Sequence, residues 1–212
     1  MNKSFWDRFA WLYDVAMNKG EAGDHAAVRY IAQYLHPEDV MYEAACGTCR
    51  YSRPLAQHVS SIRCSDYSRK MVETAFRKVR KMNIPNMDIC VGDVMAIDAP
   101  DATFDVVMAA NVLHLLPRPE EALRELARIL KPDGLLVVPN FVDVGSTKRN
   151  GRFMSLLSRL GFSAARQWST DAFLDFIQDQ GFQLVSHAMF DSRQPLCVAI
   201  VRLRANRSLV GR

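Results

Sequence analysis

The feature that most constrains the fold is an alternation of short apolar segments with amphipathic, helix-like segments. Five apolar segments in the first two thirds of the chain are predicted strands: 40–45, 61–65, 87–91, 104–110 and 135–141. Strands that alternate with helices in this way form a parallel sheet covered by helices on both faces. Two further predicted strands, 182–190 and 196–203, are joined by a turn too short for a crossover helix, so that pair should be antiparallel.

Local signals place two of the helices. Ser68 is a suitable N-cap for a helix, and Pro119 with the acids that follow it is typical of a helix start. The helix after Ser68 has apolar residues at helical spacing, which we expect to face the core: Met71, Val72, Ala75, Phe76 and Val79. Its many basic residues are expected to form a solvated face rather than a nucleic-acid surface.

Length and composition bound the organisation of the chain. Its 212 residues fit one domain, 1–212, and the net charge of +4 permits an anionic ligand without indicating nucleic acid as a partner. No apolar run reaches the roughly 18 residues of a membrane span, and five cysteines are an odd, sparse set for a secreted framework. We therefore expect a cytoplasmic protein, with its oligomeric state left open.

Two segments fall outside the alternation. Residues 1–30 carry aromatic residues among charged ones and are predicted to form an N-terminal helical cap. Residues 143–168 hold five basic residues against the single acid Asp143, and we expect a solvated helical lid there.

The loop after the first strand is the most informative motif. It includes Cys46-Gly47-Thr48-Cys49, which in isolation has the Cys-x-x-Cys spacing of a thiol–disulfide enzyme. The dinucleotide-binding fingerprint would need a glycine at position 50, where this chain has Arg50, so a nicotinamide or flavin site is disfavoured. A pattern of acid-x-Gly-x-Gly-x-Gly fits better, with Glu43 as the acid and with Ala45 and Cys49 in place of two glycines. Alanine at position 45 is compatible with a turn that avoids positive φ, and the small cysteine permits close packing.

Polar residues also stand at or just after the ends of the second, third and fourth predicted strands. Asp66 ends the second strand, where a carboxylate could accept hydrogen bonds from both hydroxyls of a ribose. Asp93 follows the third strand and could accept from an adenine amino group, and Asn111 follows the fourth. Because ligands bind at the carboxyl ends of the strands in open parallel sheets, these residues should share one site.

Together these motifs resemble the class I S-adenosylmethionine-dependent methyltransferases, in particular the small-molecule type 11 group. The resemblance is carried by "VMYEAACGTCRYSRPLA", "SDYSRKMVETA", "CVGDVMAI" and "FDVVMAANVLHLLPRPEEALRELARILKPDGLLVVPNF", in this order. The N-terminal "FWDRFAWLYD" is also similar to the start of quinone-biosynthesis methyltransferases. The family implies a Rossmann-like three-layer α/β sandwich, with a seven-stranded, mostly parallel sheet and an antiparallel last strand.

The resemblance also implies a cofactor, S-adenosyl-L-methionine, with S-adenosyl-L-homocysteine as its product, and roles for individual residues. The backbone around Ala45, Cys46 and Gly47 would face the methionine part, and Glu43 would order the loop and the amino group. Asp66 would hold the ribose, with Tyr67 and Met71 against the adenine. The remaining implied cofactor contacts are Asp93 and Val94 at the adenine edge, Asn111 near the methyl group, and Tyr13 over the carboxylate.

The implied reaction is in-line methyl transfer to a small organic acceptor. His114 is the candidate catalytic residue, as a general base that is needed only where the acceptor is protonated. The alternative for His114 is a structural role as a polar residue that caps a turn. The sequence leaves the acceptor atom open. An RNA, protein or lipid acceptor is an alternative within the class, a dithiol redox protein using Cys46 and Cys49 is an alternative outside it, and a binding protein without catalysis is a further one.

The cysteines pose a separate question. Cys46, Cys64 and Cys90 are predicted near the carboxyl ends of neighbouring strands, so that a thiol cluster is conceivable. A zinc site would need these residues and Cys49 in tetrahedral arrangement, at the expense of the loop's geometry. We therefore expect small buried side chains and no metal.

Overall fold

A computed structural model describes residues 21–145, 165–192 and 194–204. Within them the chain forms one seven-stranded sheet in the order β3-β2-β1-β4-β5-β7-β6. The strands are β1 (Val40–Ala44), β2 (Ser61–Asp66), β3 (Met87–Val91), β4 (Phe104–Ala109), β5 (Leu130–Phe141), β6 (Phe182–Asp191) and β7 (Pro195–Leu203). Strands β1 to β5 are parallel, and β7 runs antiparallel to both β5 and β6. The predicted fold class, including the antiparallel last strand, is confirmed.

Five α-helices accompany these strands in the described residues: α1 (Glu21–Ala32), α2 (Ser52–Leu55), α3 (Arg69–Lys81), α4 (Pro119–Ile129) and α5 (Thr170–Asp179). The N-cap of α3 is Ser68, as predicted, and its hydroxyl accepts a hydrogen bond from the Met71 N–H. Pro119 is the first residue of α4, followed by two acids that favour the positive end of the helix dipole.

The core lies on both faces of the sheet, because successive residues of a buried strand point to opposite sides. Tyr42 of β1 belongs to the cluster that includes residues of α4 and α5, whereas its neighbour Met41 belongs to the cluster that includes residues of α1 and α2. We call these the α4/α5 face and the α1/α2 face. Strand order reverses at β1, which lies between β2 and β4, and this is where open sheets bind ligands.

Two local expectations are wrong. Strand β5 begins at Leu130, directly after α4, because Leu130 pairs with Phe104 and Leu135 pairs with Val106 across an irregular register. The sequence predicted the start of this strand at residue 135, so residues 130–134 extend it. On α3, Met71, Ala75 and Val79 are buried as predicted, but Phe76 is 52% exposed since it lies beyond the edge of the core-facing stripe.

The predicted helical cap and lid fall largely outside the described residues. Residues 1–20 and 146–164 are not described, and the described parts of the lid segment, 143–145 and 165–168, contain no helix. Helix α1 occupies the end of the predicted cap. No helix in the described ranges is both long and apolar enough to cross a membrane.

Candidate functional site

The loop after β1 is a tight turn whose backbone repeatedly enters the left-handed region. The Cys49 N–H donates to the Cys46 carbonyl at 2.8 Å, and the Cys46 N–H donates to the Ser65 carbonyl of β2 at 2.9 Å. The φ angles are 51° at Ala45, 55° at Gly47 and 57° at Cys49. The expectation that Ala45 avoids positive φ is wrong: both residues that replace glycines keep a glycine-like backbone, at a cost of about 1–2 kcal/mol each.

Asp66 holds this loop in place from the neighbouring strand. Its Oδ2 accepts a hydrogen bond from the Gly47 N–H at 2.8 Å, and its Oδ1 accepts from the Ser68 N–H at 2.8 Å. Its backbone carbonyl accepts from the Gly92 N–H at 3.1 Å. A single buried residue at the end of β2 thus connects the loops that follow β1, β2 and β3.

A cleft of about 170 Å³ opens beside these loops. Four residues predicted as cofactor contacts line it: Ala45, Tyr67, Asp93 and Val94. Its other walls include Gly92, Met95 and the segment 116–118 that precedes α4. Asp93 is oriented by its own loop, because its Oδ1 accepts a hydrogen bond from the Met95 N–H at 2.9 Å. The structure therefore brings together residues from the ends of β1, β2 and β3, as the sequence predicted.

Other predicted contacts lie elsewhere. Met71 is buried beneath α3, at 2% exposure, and is not part of the cleft wall. The side chain of Cys46 belongs to the core of the α1/α2 face, whereas Ala45 and Val94 pack with the core of the α4/α5 face. Tyr13 falls outside the described residues.

Glu43 is fully buried in β1 and does not line the cleft. Its Oε2 accepts a hydrogen bond from the hydroxyl of Ser52, the first residue of α2. Burial raises the pKa of Glu43 well above its ordinary value, because there is little solvent to stabilise a carboxylate. Its observed role is therefore to fix α2 to the sheet rather than to present a charge to the cleft.

His114 lies in the short segment between β4 and α4, on a 3₁₀ turn. Its Nδ1 is 3.0 Å from Oδ1 of Asn140, and the Asn140 amide nitrogen donates to the Phe141 carbonyl at 2.8 Å. The hydrogen bond to the Phe141 carbonyl identifies the amide nitrogen of Asn140, so the Asn140 oxygen is the atom that faces the imidazole ring. Oδ1 of Asn140 therefore accepts a hydrogen bond from Nδ1–H of His114, and the lone pair of the neutral ring is on Nε2. Burial lowers the pKa of His114, which favours the neutral imidazole.

Asn140 is not among the residues predicted from the sequence. This residue is completely buried near the carboxyl end of β5, in the otherwise apolar stretch LLVVPNF. A polar residue in a fully buried strand needs a hydrogen-bonding partner, and that was the available signal.

Asn111 ends β4 in a conformation with φ of 53°, and its N–H donates to the Pro139 carbonyl at 2.7 Å. Its side-chain Oδ1 is buried and has no hydrogen-bond partner among the described residues. A buried acceptor without a donor costs about 1–3 kcal/mol, so this atom points to a ligand that supplies one.

A buried ion pair supports the loop from the α1/α2 face. Arg50 donates to Asp24 of α1, with Nη2 at 2.6 Å and Nε at 2.7 Å from Oδ2. Asp24 also accepts from the Ser192 hydroxyl at 2.8 Å, and only 4% of its side chain is exposed. In the sequence, Arg50 is notable only because it occupies the position of a glycine in the dinucleotide fingerprint. Its partner is 26 residues away, so no local pattern predicts the ion pair.

Three thiols meet on the same face. The sulfur atoms of Cys46, Cys49 and Cys64 lie within 4.8 Å of one another, and all three residues are buried. Cys90, which the sequence made a conceivable member of such a cluster, is not part of it; its thiol donates to the Cys64 carbonyl at 3.5 Å. Hydrogen bonds from the thiols of Cys46 and Cys64 lower the pKa of Cys49 well below its ordinary value.

Residues 42–138 match a family model described as "Methyltransferase domain". The phosphatidylethanolamine N-methyltransferase of Cereibacter sphaeroides is 33% identical over 90 residues, which cover 42% of this chain and 44% of that protein. The demethylmenaquinone methyltransferase of Listeria welshimeri is 31% identical over 100 residues, 44% of this chain and 41% of that protein. The chain thus spans less than half the length of these curated relatives.

Two solved structures extend the likeness in fold. A chain of the complex between the Haloferax volcanii Trm112 methyltransferase activator and a methyltransferase superposes with a TM-score of 0.77 at 15% identity, covering 98% of this chain and 100% of that chain. The magnesium protoporphyrin IX methyltransferase of Synechocystis PCC 6803 was solved with bound S-adenosylhomocysteine. It superposes with a TM-score of 0.66 at 20% identity, covering 87% of this chain and 86% of that chain. The matched segment contains β1 to β4, α4 and most of β5, and the superposition adds the remaining strands. Residues 42–138, just under half of the chain, therefore match the methyltransferase domain family, and the chain has the Rossmann-like fold of the solved methyltransferases.

Proposed function

We propose that this protein transfers the methyl group of S-adenosylmethionine to a small organic acceptor. The observation that carries the proposal is a cleft at the point where the strand order reverses, lined by Ala45, Tyr67 and Asp93 from the ends of β1, β2 and β3. Loops at this position present backbone N–H groups and carboxylates to nucleoside-containing ligands.

The residues present fit this cofactor. Apart from its own chain neighbours, no atom of the described residues would lie within 4 Å of a Cβ built on Gly47, so the loop leaves open space where the backbone can approach a ligand. Asp66 directly precedes Tyr67 of the cleft wall, and a carboxylate at this position is a suitable acceptor for ribose hydroxyls. The partnerless Oδ1 of Asn111 is suited to a cationic amino group.

When bound, this cofactor supplies a methyl group already activated by the positive sulfonium. The residues of the chain then have to hold the acceptor in line with that group and exclude water. For an acceptor that is a phenol or an ammonium, the proton released on transfer goes to Nε2 of His114, because Nδ1–H is held by Asn140. For a carbon, thiolate or neutral amine acceptor, His114 orients rather than accepts a proton.

The relatives support an acceptor of modest size. Their names refer to phosphatidylethanolamine, demethylmenaquinone and magnesium protoporphyrin IX, so a lipid is the alternative acceptor that the relatives favour over RNA or protein. An RNA or protein acceptor would have to use the basic residues of the segment 143–168, most of which falls outside the described residues. Activity on such a polyanionic acceptor would fall steeply with salt.

A dithiol redox function is the competing proposal, and the burial of the thiols weighs against it. Cys49 is fully buried and Cys46 is 6% exposed, so a protein disulfide has no access to either sulfur. Thiol–disulfide exchange requires a thiolate that can reach the sulfur it attacks.

Isothermal titration calorimetry with S-adenosylhomocysteine tests the proposal. Asp66→Ala should weaken binding by at least about 100-fold, because it removes ribose acceptors and the support of the Gly47 N–H together. Asp88→Ala is the matched control: this acid lies on neighbouring β3, with 75% of its side chain exposed, and should leave affinity unchanged. Absence of binding to the wild-type chain, combined with dithiol exchange activity lost in Cys46→Ser and Cys49→Ser, would favour the redox alternative.

A further inference from the structure

The thiol cluster is the feature that the proposed function leaves unused. None of its three cysteines is part of the cleft wall, and all three belong to the core of the α1/α2 face. Cys46 and Cys49 are the two ends of the turn after β1, and Cys64 comes from the middle of β2. The sulfurs therefore lie behind the loop whose other side borders the cleft.

The spacing of the sulfurs is close to what a tetrahedral metal site needs. Zinc–thiolate bonds of about 2.3 Å at tetrahedral angles separate neighbouring sulfurs by about 3.8 Å. The three sulfurs here are within 4.8 Å of one another, so shifts of about 1 Å or less in side-chain position would complete the geometry. A fourth donor is adjacent, because the Ser52 hydroxyl oxygen is 3.4 Å from the Cys64 sulfur, near the roughly 3.6 Å expected between a sulfur and an oxygen ligand of one zinc ion.

The charges around the cluster suit a divalent cation. Three thiolates and one Zn²⁺ carry a net charge of −1, and Arg53 is next to the loop, where its Nε donates to the Cys49 carbonyl at 3.0 Å. A soft thiolate set with no carboxylate ligand selects zinc over calcium, magnesium or manganese.

The backbone provides an independent reason to expect a role for the sulfur of Cys49. This residue has φ of 57°, a conformation that glycine adopts without strain and that costs other residues about 1–2 kcal/mol. Cys49 carries a side chain at this strained position, as Ala45 does at φ of 51°, but the side chain of Cys49 has a sulfur, which lies against those of Cys46 and Cys64. A bond to a metal would offset that strain.

We propose that Cys46, Cys49 and Cys64, with the Ser52 hydroxyl as fourth ligand, form a structural zinc site behind the loop after β1. Binding exchanges thiol protons for the metal: Zn²⁺ bonds to three sulfurs, their remaining protons pass to solvent, and no electron is transferred. The site would hold the loop in its left-handed conformation from the side opposite the cleft. It is a binding site distinct from the one that carries the proposed function.

The test uses the full chain, purified with a phosphine reductant, depleted of metal and titrated with Co²⁺ and then Zn²⁺. We expect about one equivalent of Co²⁺ with intense visible bands of tetrahedral thiolate coordination, displaced by Zn²⁺, and an increase in Tm on zinc binding. Cys46→Ser, Cys49→Ser and Cys64→Ser should each weaken Zn²⁺ binding by more than about 100-fold, beyond the 10–100-fold typical of losing an outer-shell partner. Cys90→Ser is the matched control and should bind like the wild type.

Several outcomes would overturn the proposal. These are no bound Co²⁺ in the wild-type chain, binding without thiolate bands, equal affinity in Cys64→Ser and Cys90→Ser, or a Cys46–Cys49 disulfide found by mass spectrometry in chain freshly purified under reductant. The Co²⁺ spectrum of the wild-type chain tests the proposal even if a variant folds poorly. S-adenosylhomocysteine calorimetry on the same metal-depleted sample separates the two proposals, because binding there without any metal site would leave the proposed function standing.

Discussion

The two halves of the candidate site differ in how their polar groups are used. At the ends of β1 and β2, the carboxylates are already engaged: both oxygens of Asp66 accept backbone N–H groups and Glu43 is bonded to Ser52. At the ends of β4 and β5, acceptors remain available, namely Oδ1 of Asn111 and Nε2 of His114.

This difference suggests a division of labour between the halves. Groups that are held by the protein itself are preorganised and bind a constant ligand at low entropic cost. Acceptors without a protein partner are stabilised only when a ligand supplies the donor, so they are suited to discriminate among ligands or to receive a proton. The first half is thus preorganised, whereas in the second half Nε2 of His114 is suited to receive a proton and Oδ1 of Asn111 to select among ligands.

The largest expected effect comes from breaking the support of the first half. Asp24→Ala leaves the guanidinium of Arg50 buried without its counterion, and we expect a loss of about 3–5 kcal/mol in the free energy of unfolding. Urea denaturation followed by circular dichroism measures it. Asp101→Ala is the control, because it removes an Asp–Arg contact in which 77% of the acid's side chain is exposed, and should cost less than about 1 kcal/mol. Equal losses in the two variants would show that the Asp24–Arg50 pair is not a special support.

The second prediction concerns His114 in the other half. With a protic acceptor, His114→Gln should lower kcat on the order of 100-fold with little change in S-adenosylhomocysteine affinity, since the base is lost while the cofactor residues stay in place. Because burial lowers the pKa of His114 below its ordinary value of 6.5, the neutral, proton-accepting form persists into mildly acidic solution. The acid limb of the pH–rate profile should therefore fall below pH 6.5 and be absent from the variant.

Asn140→Asp provides a sharper version of the same test. A carboxylate next to Nδ1 favours the imidazolium, so the acid limb should move to higher pH while kcat at alkaline pH is largely retained. A side chain that only packs against its neighbours would produce no such shift. An unmoved limb would contradict the assignment of His114 as a base.

The sequence predicted the sheet and the cleft well because both depend on local patterns. Apolar segments and helix caps identified all seven strands and the start of α3, and the acids after β2 and β3 were recognised by their position at strand ends. The Asp24–Arg50 pair and the Asn140–His114 contact each join residues 26 positions apart, so no local sequence pattern predicts either contact. The sequence could not show which thiols meet, because that depends on the face of the strand that each side chain occupies: Cys64 points to the α1/α2 face, whereas Cys90 is in register with Ser65 and points to the opposite face.

The backbone of Ala45 yields the smallest predicted effect and the most specific one. With φ of 51°, this residue occupies a conformation in which glycine is unstrained, so Ala45→Gly should raise the free energy of unfolding by about 1 kcal/mol. Ala102, exposed and with φ of 49°, is the matched control in a loop remote from the cleft, and Ala102→Gly should stabilise the chain by a similar amount. Urea denaturation measures both, and calorimetry with S-adenosylhomocysteine should respond only to the change at position 45, since Ala45 lines the cleft and Ala102 does not. The contrary outcome is that Ala45→Gly destabilises the chain while Ala102→Gly stabilises it. In that case the packing of the Ala45 methyl group would contribute more to stability than its backbone conformation costs. The first half of the site would then be held by side-chain contacts as well as by hydrogen bonds.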